Sequence, residues 1–407
     1  MSHCCSKERL EDKIKTFSQF GATGNGGITR LSLSPAALEA RAEYCRRAKE
    51  LGLTIEFDDM GNIYATKAGT ENLPRIVTGS HADSVVCGGN YDGILGTLSG
   101  LEAVETLVRD NIPTRHPVTC MIWTNEEGAR FPPAMMSSGV ITGKFPKEQM
   151  LASKDTKGVT FGEALKASGY EGDAANRLDA KKYKAFLELH IEQGPVLEAE
   201  KKEIGVVEGV VGMVNYSITT HGQSDHAGTT PVKNRQDALR AAALMINHLY
   251  DELIKLDPEL VFTFGYIDCH PNVHTVIPDE VNFSLDARHK DPEVIRQVVE
   301  VIKALPKEVI RCAVSYKENW ARNTILFNKQ MVDFVEKNAQ AMGYSNRRIY
   351  SGAGHDAQYV QEVIPSVMIF VPSKDGHSHC EPEFTSLDEC WKGANILLQT
   401  ILDVDKT

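Results

Sequence analysis

Ile76-Val77-Thr78-Gly79-Ser80-His81-Ala82-Asp83-Ser84, running on towards Asn90-Tyr91-Asp92-Gly93, is the stretch whose reading decides the fold. Residues 76–79 form a short, largely apolar run that begins with three β-branched side chains, which predicts a strand. Residues 96–109 have helical amphipathic spacing, and 118–124 are a second apolar run of strand length. Strand, helix, strand in this order is the unit of an α/β domain with a mostly parallel central sheet flanked by helices. Working outward, the same alternation predicts a helix over 34–51, strands near 186–189 and 366–371, and helices near 328–342 and 387–402.

Residues 210–317 read differently. Strand patterns at 215–220, 261–269, 281–288 and 309–316 enclose two helical stretches, in the order of a ferredoxin-like α+β unit. The expected organisation is a discontinuous main domain, residues 1–209 and 318–407, interrupted by an inserted domain at 210–317.

Composition narrows the function classes. Lys and Arg number 44 against 55 Asp and Glu, a formal net charge of −11, which argues against a general nucleic-acid or anionic-membrane surface because both need clustered cations. With 42% hydrophobic and 24% charged residues the chain matches a globular protein, not a disordered or fibrous one. No run approaches the roughly 18 apolar residues of a bilayer crossing, and the start MSHCCSKERLEDK is polar where a secretory signal is apolar, so a cytoplasmic protein is expected. The 9 cysteines include no C-x-x-C pair, which points away from a disulfide framework or a Cys-rich zinc knuckle. Cys4 and Cys5 fall in a polar terminus expected to fray.

Four strand ends carry chemistry. In open α/β sheets ligands bind beyond the carboxyl ends of the strands, which is where His81 falls, with Asp83 two residues on as a carboxylate able to orient its second ring nitrogen. The strand at 118–124 runs into Asn125-Glu126-Glu127-Gly128. Adjacent carboxylates repel unless a cation intervenes, and a hydrolytic metal site needs one carboxylate as ligand and another as base, roles that Glu126 and Glu127 can divide. A third end presents His190 and Gln193 within Leu189-His190-Ile191-Glu192-Gln193-Gly194-Pro195, and a fourth presents His377 and His379 within Gly376-His377-Ser378-His379-Cys380. Each feature alone reads as an ordinary turn or core imidazole; four such ends together point to a metal centre. Mixed imidazole and carboxylate donors suit two borderline divalent ions, Zn, Mn, Co or Ni, better than Mg or Ca.

These residues resemble a known family. GSHADS, NYDGILG, TNEEGARF, LHIEQGPVLE, SDHAGTTP, PNVHTVIP, SGAGHDA and GHSHCEPEF occur in the order found in the hydantoinase/carbamoylase group of dinuclear metal amidohydrolases, which contains N-carbamoyl-L-amino acid hydrolases, β-ureidopropionases and allantoate amidohydrolases. The group is related to the dinuclear zinc aminopeptidase-like metallopeptidases, and the resemblance covers nearly the whole chain. It implies that Asp92 bridges two metal ions, His81 and His190 holding one, Glu127 and His379 the other, with Glu126 as general base. It implies that His226, supplied by the inserted domain of a neighbouring subunit in a homodimer, meets the oxyanion. Arg288 would grip the substrate carboxylate, Gln193 and Asn272 would bind the ureido and carboxylate ends, and Gly354 and His355 would line the pocket. Arg235 is divided between a site role and a surface ion pair.

The chain departs from the family's commonest pattern at His274, His377, Cys380 and Glu381. Register against Glu383-Phe384-Thr385 favours His379 over His377 as ligand. The implied activity is removal of a carbamoyl group from a small ureido acid, with no nucleic-acid or membrane partner. An N-carbamoyl-L-amino acid is placed first, allantoate or N-carbamoyl-β-alanine next, and a dipeptidase, aminoacylase or non-catalytic metal-binding scaffold more distantly.

Overall fold

Four apolar runs become adjacent parallel strands. In the computed structural model, which describes residues 3–407, they are Val118–Trp123, Arg75–His81, Tyr183–Ile191 and Ser366–Val371, side by side in that order. Nearly every residue in them is buried, as expected of strands covered on both faces. At about 1.5–3 kcal/mol for each large apolar side chain removed from water, this sheet is the main source of the unit's cohesion. Five further strands extend it to nine: Thr54–Phe57 and Ile63–Lys67, both antiparallel to their neighbours, on one side, and antiparallel Ile204–Val210 with Asn346–Ser351 and the two-residue Ile325–Leu326 on the other.

Register aligns the carboxyl ends. His81 lies opposite Trp123, and His190 opposite Phe370, so the segments following all four strands emerge along one edge. Helix Ile94–Arg109 returns from that edge across the sheet and is buried for nearly its whole length.

The chain divides into two compact units, residues 1–209 with 326–407, and 210–325. The boundary set at 317/318 needs correction, because strand Cys312–Arg322 runs straight through it. The second unit is an antiparallel sheet with central order Ile267–His270, Glu280–His289, Gly212–His221, Cys312–Arg322, the ferredoxin-like arrangement. Alternate residues Val214, Tyr216 and Ile218 of one strand and Val281, Phe283 and Leu285 of its neighbour are buried with residues of helices Ala238–Leu253 and Pro292–Lys303. The single strand expected over 261–269 is two, Val261–Thr263 and Ile267–His270.

From Cys5 onward the amino-terminal segment is held against the fold. Cys5 is buried, and helix Lys7–Phe17 packs with Lys13 enclosed between Glu102 and Glu105, each at 2.7 Å. Removing one partner of such a buried pair costs roughly 3–5 kcal/mol. Among the described residues no helix is long and apolar enough to cross a membrane.

Candidate metal centre

Asp92 is the hub of the site. Its Oδ1 lies 3.4 Å from Nε2 of His81 and 3.3 Å from Nε2 of His190, while Oδ2 lies 3.4 Å from Nε2 of His379. The same His379 nitrogen is 3.3 Å from Oε2 of Glu127. Two three-residue groups result, His81–Asp92–His190 and Asp92–Glu127–His379, each with its donor atoms within 4.8 Å of one another, and they share one carboxylate. Glu126 approaches from the side, Oε2 3.5 Å from His81 Nε2. His377 is exposed and, like the half-buried Cys380, belongs to none of these groups.

Local structure explains the convergence. Past strand Val118–Trp123 the amide of Thr124 is held by Asn62 and Ser137, and Asn125 turns the chain with φ 60°, a left-handed conformation that Asn tolerates. Asp83 then receives the amides of Glu126 and Glu127, at 3.3 and 3.2 Å. The orienting role expected of the Asp83 carboxylate therefore needs correction: Nδ1 of His81 meets the backbone carbonyl of Asp83 at 2.9 Å, and the carboxylate, 3.9 Å away, supports the two-glutamate turn instead. Nδ1 of His190 meets its neighbour's carbonyl, Ile191, at 3.0 Å, so Nε2 of both rings faces the centre, that of His190 also receiving the amide of Gly93 at 3.2 Å.

Gly93 leaves space that no other residue would. Its φ is 64°, and a Cβ there would stand 2.3 Å from the His81 ring. Glu383 holds the same loop, its Oε1 accepting the amides of Tyr91 and Asp92 at 2.9 and 3.0 Å. Sequence reasoning used Glu383 only as a register mark and passed over Gly93 and Ser378. Ser378 donates to Oδ2 of Asp92 at 2.9 Å, and the signal for it was its place between two candidate imidazoles.

Gln193, with φ 57°, sends Nε2 to Oδ2 of Asp92 at 2.7 Å, and its Oε1 is buried without a partner. His355 is 3% exposed rather than facing an open pocket: its ring packs on His190 with centroids 4.6 Å apart, and Nε2 meets Ser351 at 2.9 Å. Gly354 precedes it, half-buried. Behind both, buried Glu188 accepts from Ser80 at 2.6 Å and from the amide of Ala357 at 3.3 Å.

The remaining expected site residues lie in the second unit. His226 is exposed on the two-residue strand Asp225–His226, paired with Val276–Ile277. Asn272 is exposed with φ 56°, and Nε of Arg288 donates to Asp286 at 2.7 Å. A further group there, Asp257, Glu259 and His289, is a poor ligand set, because His289 Nδ1 already accepts the amide of Asp291 and the neutral ring must carry its proton on Nε2.

The electrostatics suit cations. Burial opposes the charge on Asp92, yet hydrogen bonds from His190, His379 and His81 hold its carboxyl well below the usual range. Burial lifts Glu127 to about 7, with the charge of Asp92 adding to it, and lifts Glu126 well above a normal carboxyl, with His81 opposing and Asp356 and Glu127 reinforcing. His379 rises to about 9, chiefly through its hydrogen bond to Asp92. Oε1 of Glu127 is buried without a hydrogen-bond partner. Three imidazoles and two carboxylates, one of them with an orphaned oxygen, fit a pair of divalent ions.

The chain is similar to known proteins over nearly its whole length. Residues 78–403 match the model of peptidase family M20/M25/M40. The chain is 37% identical over 406 residues to an N-carbamoyl-L-amino-acid amidohydrolase of Paenarthrobacter aurescens, covering 98% of each chain. It is 34% identical over 396 residues to the allantoate amidohydrolase of Escherichia coli K12, covering 96% of each. A hydantoinase/carbamoylase family amidase from Burkholderia multivorans superposes with TM-score 0.93 at 40% identity, over 100% of this chain and 99% of that one. The chain is therefore a hydrolase of the M20/M25/M40 peptidase family and belongs, within it, to the hydantoinase/carbamoylase group of amidases.

Proposed function

We propose that this chain hydrolyses the carbamoyl C–N bond of an N-carbamoyl-L-amino acid, releasing the amino acid, ammonia and carbon dioxide. The observation that carries this reading is the pair of ligand groups joined through Asp92, with Glu126 beside them and the unpartnered Oε1 of Gln193 facing no protein donor. A ureido group brings N–H donors that such a buried acceptor can take.

His81 and His190 would hold one divalent ion, Glu127 and His379 the other, and Asp92 both. Bound there, two cations supply a lowered water pKa and a polarised ureido carbonyl. Glu126, enclosed and already inclined to hold a proton, takes one from the attacking water and returns it to the leaving nitrogen. His226 donates to the oxyanion, and Arg288, with Asn272, binds the carboxylate through its two-pronged guanidinium. One water is consumed, and the carbamic acid formed falls apart to ammonia and carbon dioxide.

A homodimer through the second unit belongs to the same reading. Leu239, Tyr250 and Ile254 leave apolar surface exposed along helix Ala238–Leu253 and its end, which a second copy would cover. Allantoate is the second substrate reading, favoured by the similarity to the E. coli enzyme. The deciding experiment follows ammonia release by Mn- and Zn-loaded protein on N-carbamoyl-L-methionine, N-carbamoyl-β-alanine and allantoate, and free-amine release from a dipeptide, with a metal-stripped control. Metal-dependent turnover of N-carbamoyl-L-methionine above the others is expected. Turnover of allantoate or the dipeptide alone would replace the reading.

A further inference from the structure

His226 and Arg235 are nine residues apart in the chain and joined by hydrogen bonds through one turn. Nδ1 of His226 accepts two backbone amides, Gly228 at 3.0 Å and Thr229 at 3.2 Å. A ring nitrogen that accepts carries no proton, so the neutral imidazole keeps its proton on Nε2. That tautomer is the one a neutral hydrogen-bond donor to an oxyanion requires. The close approach depends on Gly228, where a Cβ would come within 3.2 Å of the ring.

The turn is closed by few bonds of its own. The amide of Thr230 reaches the carbonyl of His226 at 3.1 Å, and the amide of Ala227 reaches the carbonyl of Thr275 at 3.0 Å. Arg235 supplies the rest. Rather than entering the surface ion pair that was one of its two expected roles, it donates from Nε to the carbonyl of Thr230 at 2.9 Å and from Nη2 to the carbonyl of Ala227 at 2.6 Å. Its own carbonyl is held by Nη2 of Arg311 at 2.7 Å, which fixes the base from which the guanidinium reaches. A planar fork whose two donors meet two carbonyls three residues apart sets the curvature of the turn, and that curvature aims the Gly228 and Thr229 amides at Nδ1.

We propose that Arg235 is a positioning residue for the reaction, holding the 226–230 turn in the shape that makes His226 an Nε2–H donor. The inference rests on the reading of His226 as the oxyanion's partner given above. Arg235 touches no reacting atom and acts only through the turn.

The test uses the full-length, Mn-loaded enzyme and the ureido acid it turns over best. Arg235→Ala is expected to lower kcat by about tenfold or more while KM changes by about twofold or less, the pattern of lost transition-state alignment. Guanidinium ion should restore part of the loss, which a general folding defect would not allow. Nitrogen-15 NMR of the imidazoles in the diamagnetic Zn-loaded form should show His226 as the Nε2–H tautomer in the parent chain and a mixture in the variant, a readout independent of turnover. In a His226→Ala background, Arg235→Ala should have no further effect. An equal loss in that background, or parent-like kcat in Arg235→Ala alone, overturns the proposal. Parent-like kcat in His226→Ala would instead remove the reading of His226 itself, and the two failures are thereby told apart.

Discussion

Oδ1 of Asp83 accepts the backbone amide of Glu126 at 3.3 Å, so the side chain two residues after one metal-facing imidazole carries the main chain of the candidate base. Its other oxygen takes the next amide, that of Glu127, at 3.2 Å. One carboxylate thus sets the height of the two acids to which the proposal gives different work. Asp83→Ala is expected to lower kcat by about a hundredfold while metal content stays near two per chain, because His81 is oriented by the backbone carbonyl that the substitution leaves in place. Metal analysis beside steady-state kinetics checks this, and loss of metal in step with activity would refute it.

Substitutions at Glu126 and Asp92 test the proposed base apart from the proposed shared ligand. Glu126→Gln keeps the shape and should retain metal while turnover drops by about three decades or more. Asp92→Ala removes the shared carboxylate and should lose metal and activity together. Near-parent turnover in Glu126→Gln would mean the base lies elsewhere.

Gly93→Ala should be among the most damaging single substitutions near the site. The added methyl would overlap the His81 ring at 2.3 Å, and the residue would have to keep a φ of 64°. Loss of metal retention with a lowered melting temperature is expected, and a parent-like metal content would show that the loop moves freely.

Metal-free protein should lose stability as pH rises. Glu127 titrates near 7 in the fold against an ordinary 4.5, so the folded chain binds the extra proton and this contribution is lost between those values. His379, raised from 6.5 to about 9, stabilises fully below 6.5 and ceases to do so as pH passes 9. Both act in one direction. Melting temperatures of stripped protein should fall from pH 5 to 9, added Mn should counter the fall, and calorimetry in buffers of different ionisation heat should register proton release on binding. A flat profile without metal would contradict the assigned protonation.

Arg288→Lys should raise KM for carboxylate-bearing ureides by about tenfold or more and leave a carboxylate-free analogue little changed, since an ammonium cannot make two parallel hydrogen bonds. Equal losses on both would indicate damage to the sheet that carries Arg288, where Asp286 is already its partner.

Much of this was legible in the order of residues. A strand buried on both faces is recognisable as an apolar run, and Val118–Trp123 and Ser366–Val371 were located to within a residue or so for that reason. Helix Lys7–Phe17 was not, because between Leu10 and Phe17 its buried face carries Lys13, whose burial against two glutamates of a distant helix no local pattern records. The break between Val261–Thr263 and Ile267–His270 was hidden for a similar reason: both halves pair with the same long strand.

By itself the sequence determined which side chains stand at strand ends, since period and run length are local properties and imidazoles or carboxylates placed just beyond an apolar run must emerge where the sheet stops. Only the tertiary structure decided what each of them does there. Whether Asp83 steadies a ring or a backbone, whether His377 or His379 meets Asp92 and Glu127, and whether His355 faces solvent or backs His190 depend on parallel register, which brings residues a hundred or more positions apart within hydrogen-bond reach, and on left-handed residues such as Asn125, Gln193 and His379, whose turns aim each side chain. Distances of that kind arise from packing, and packing is a property of the whole chain.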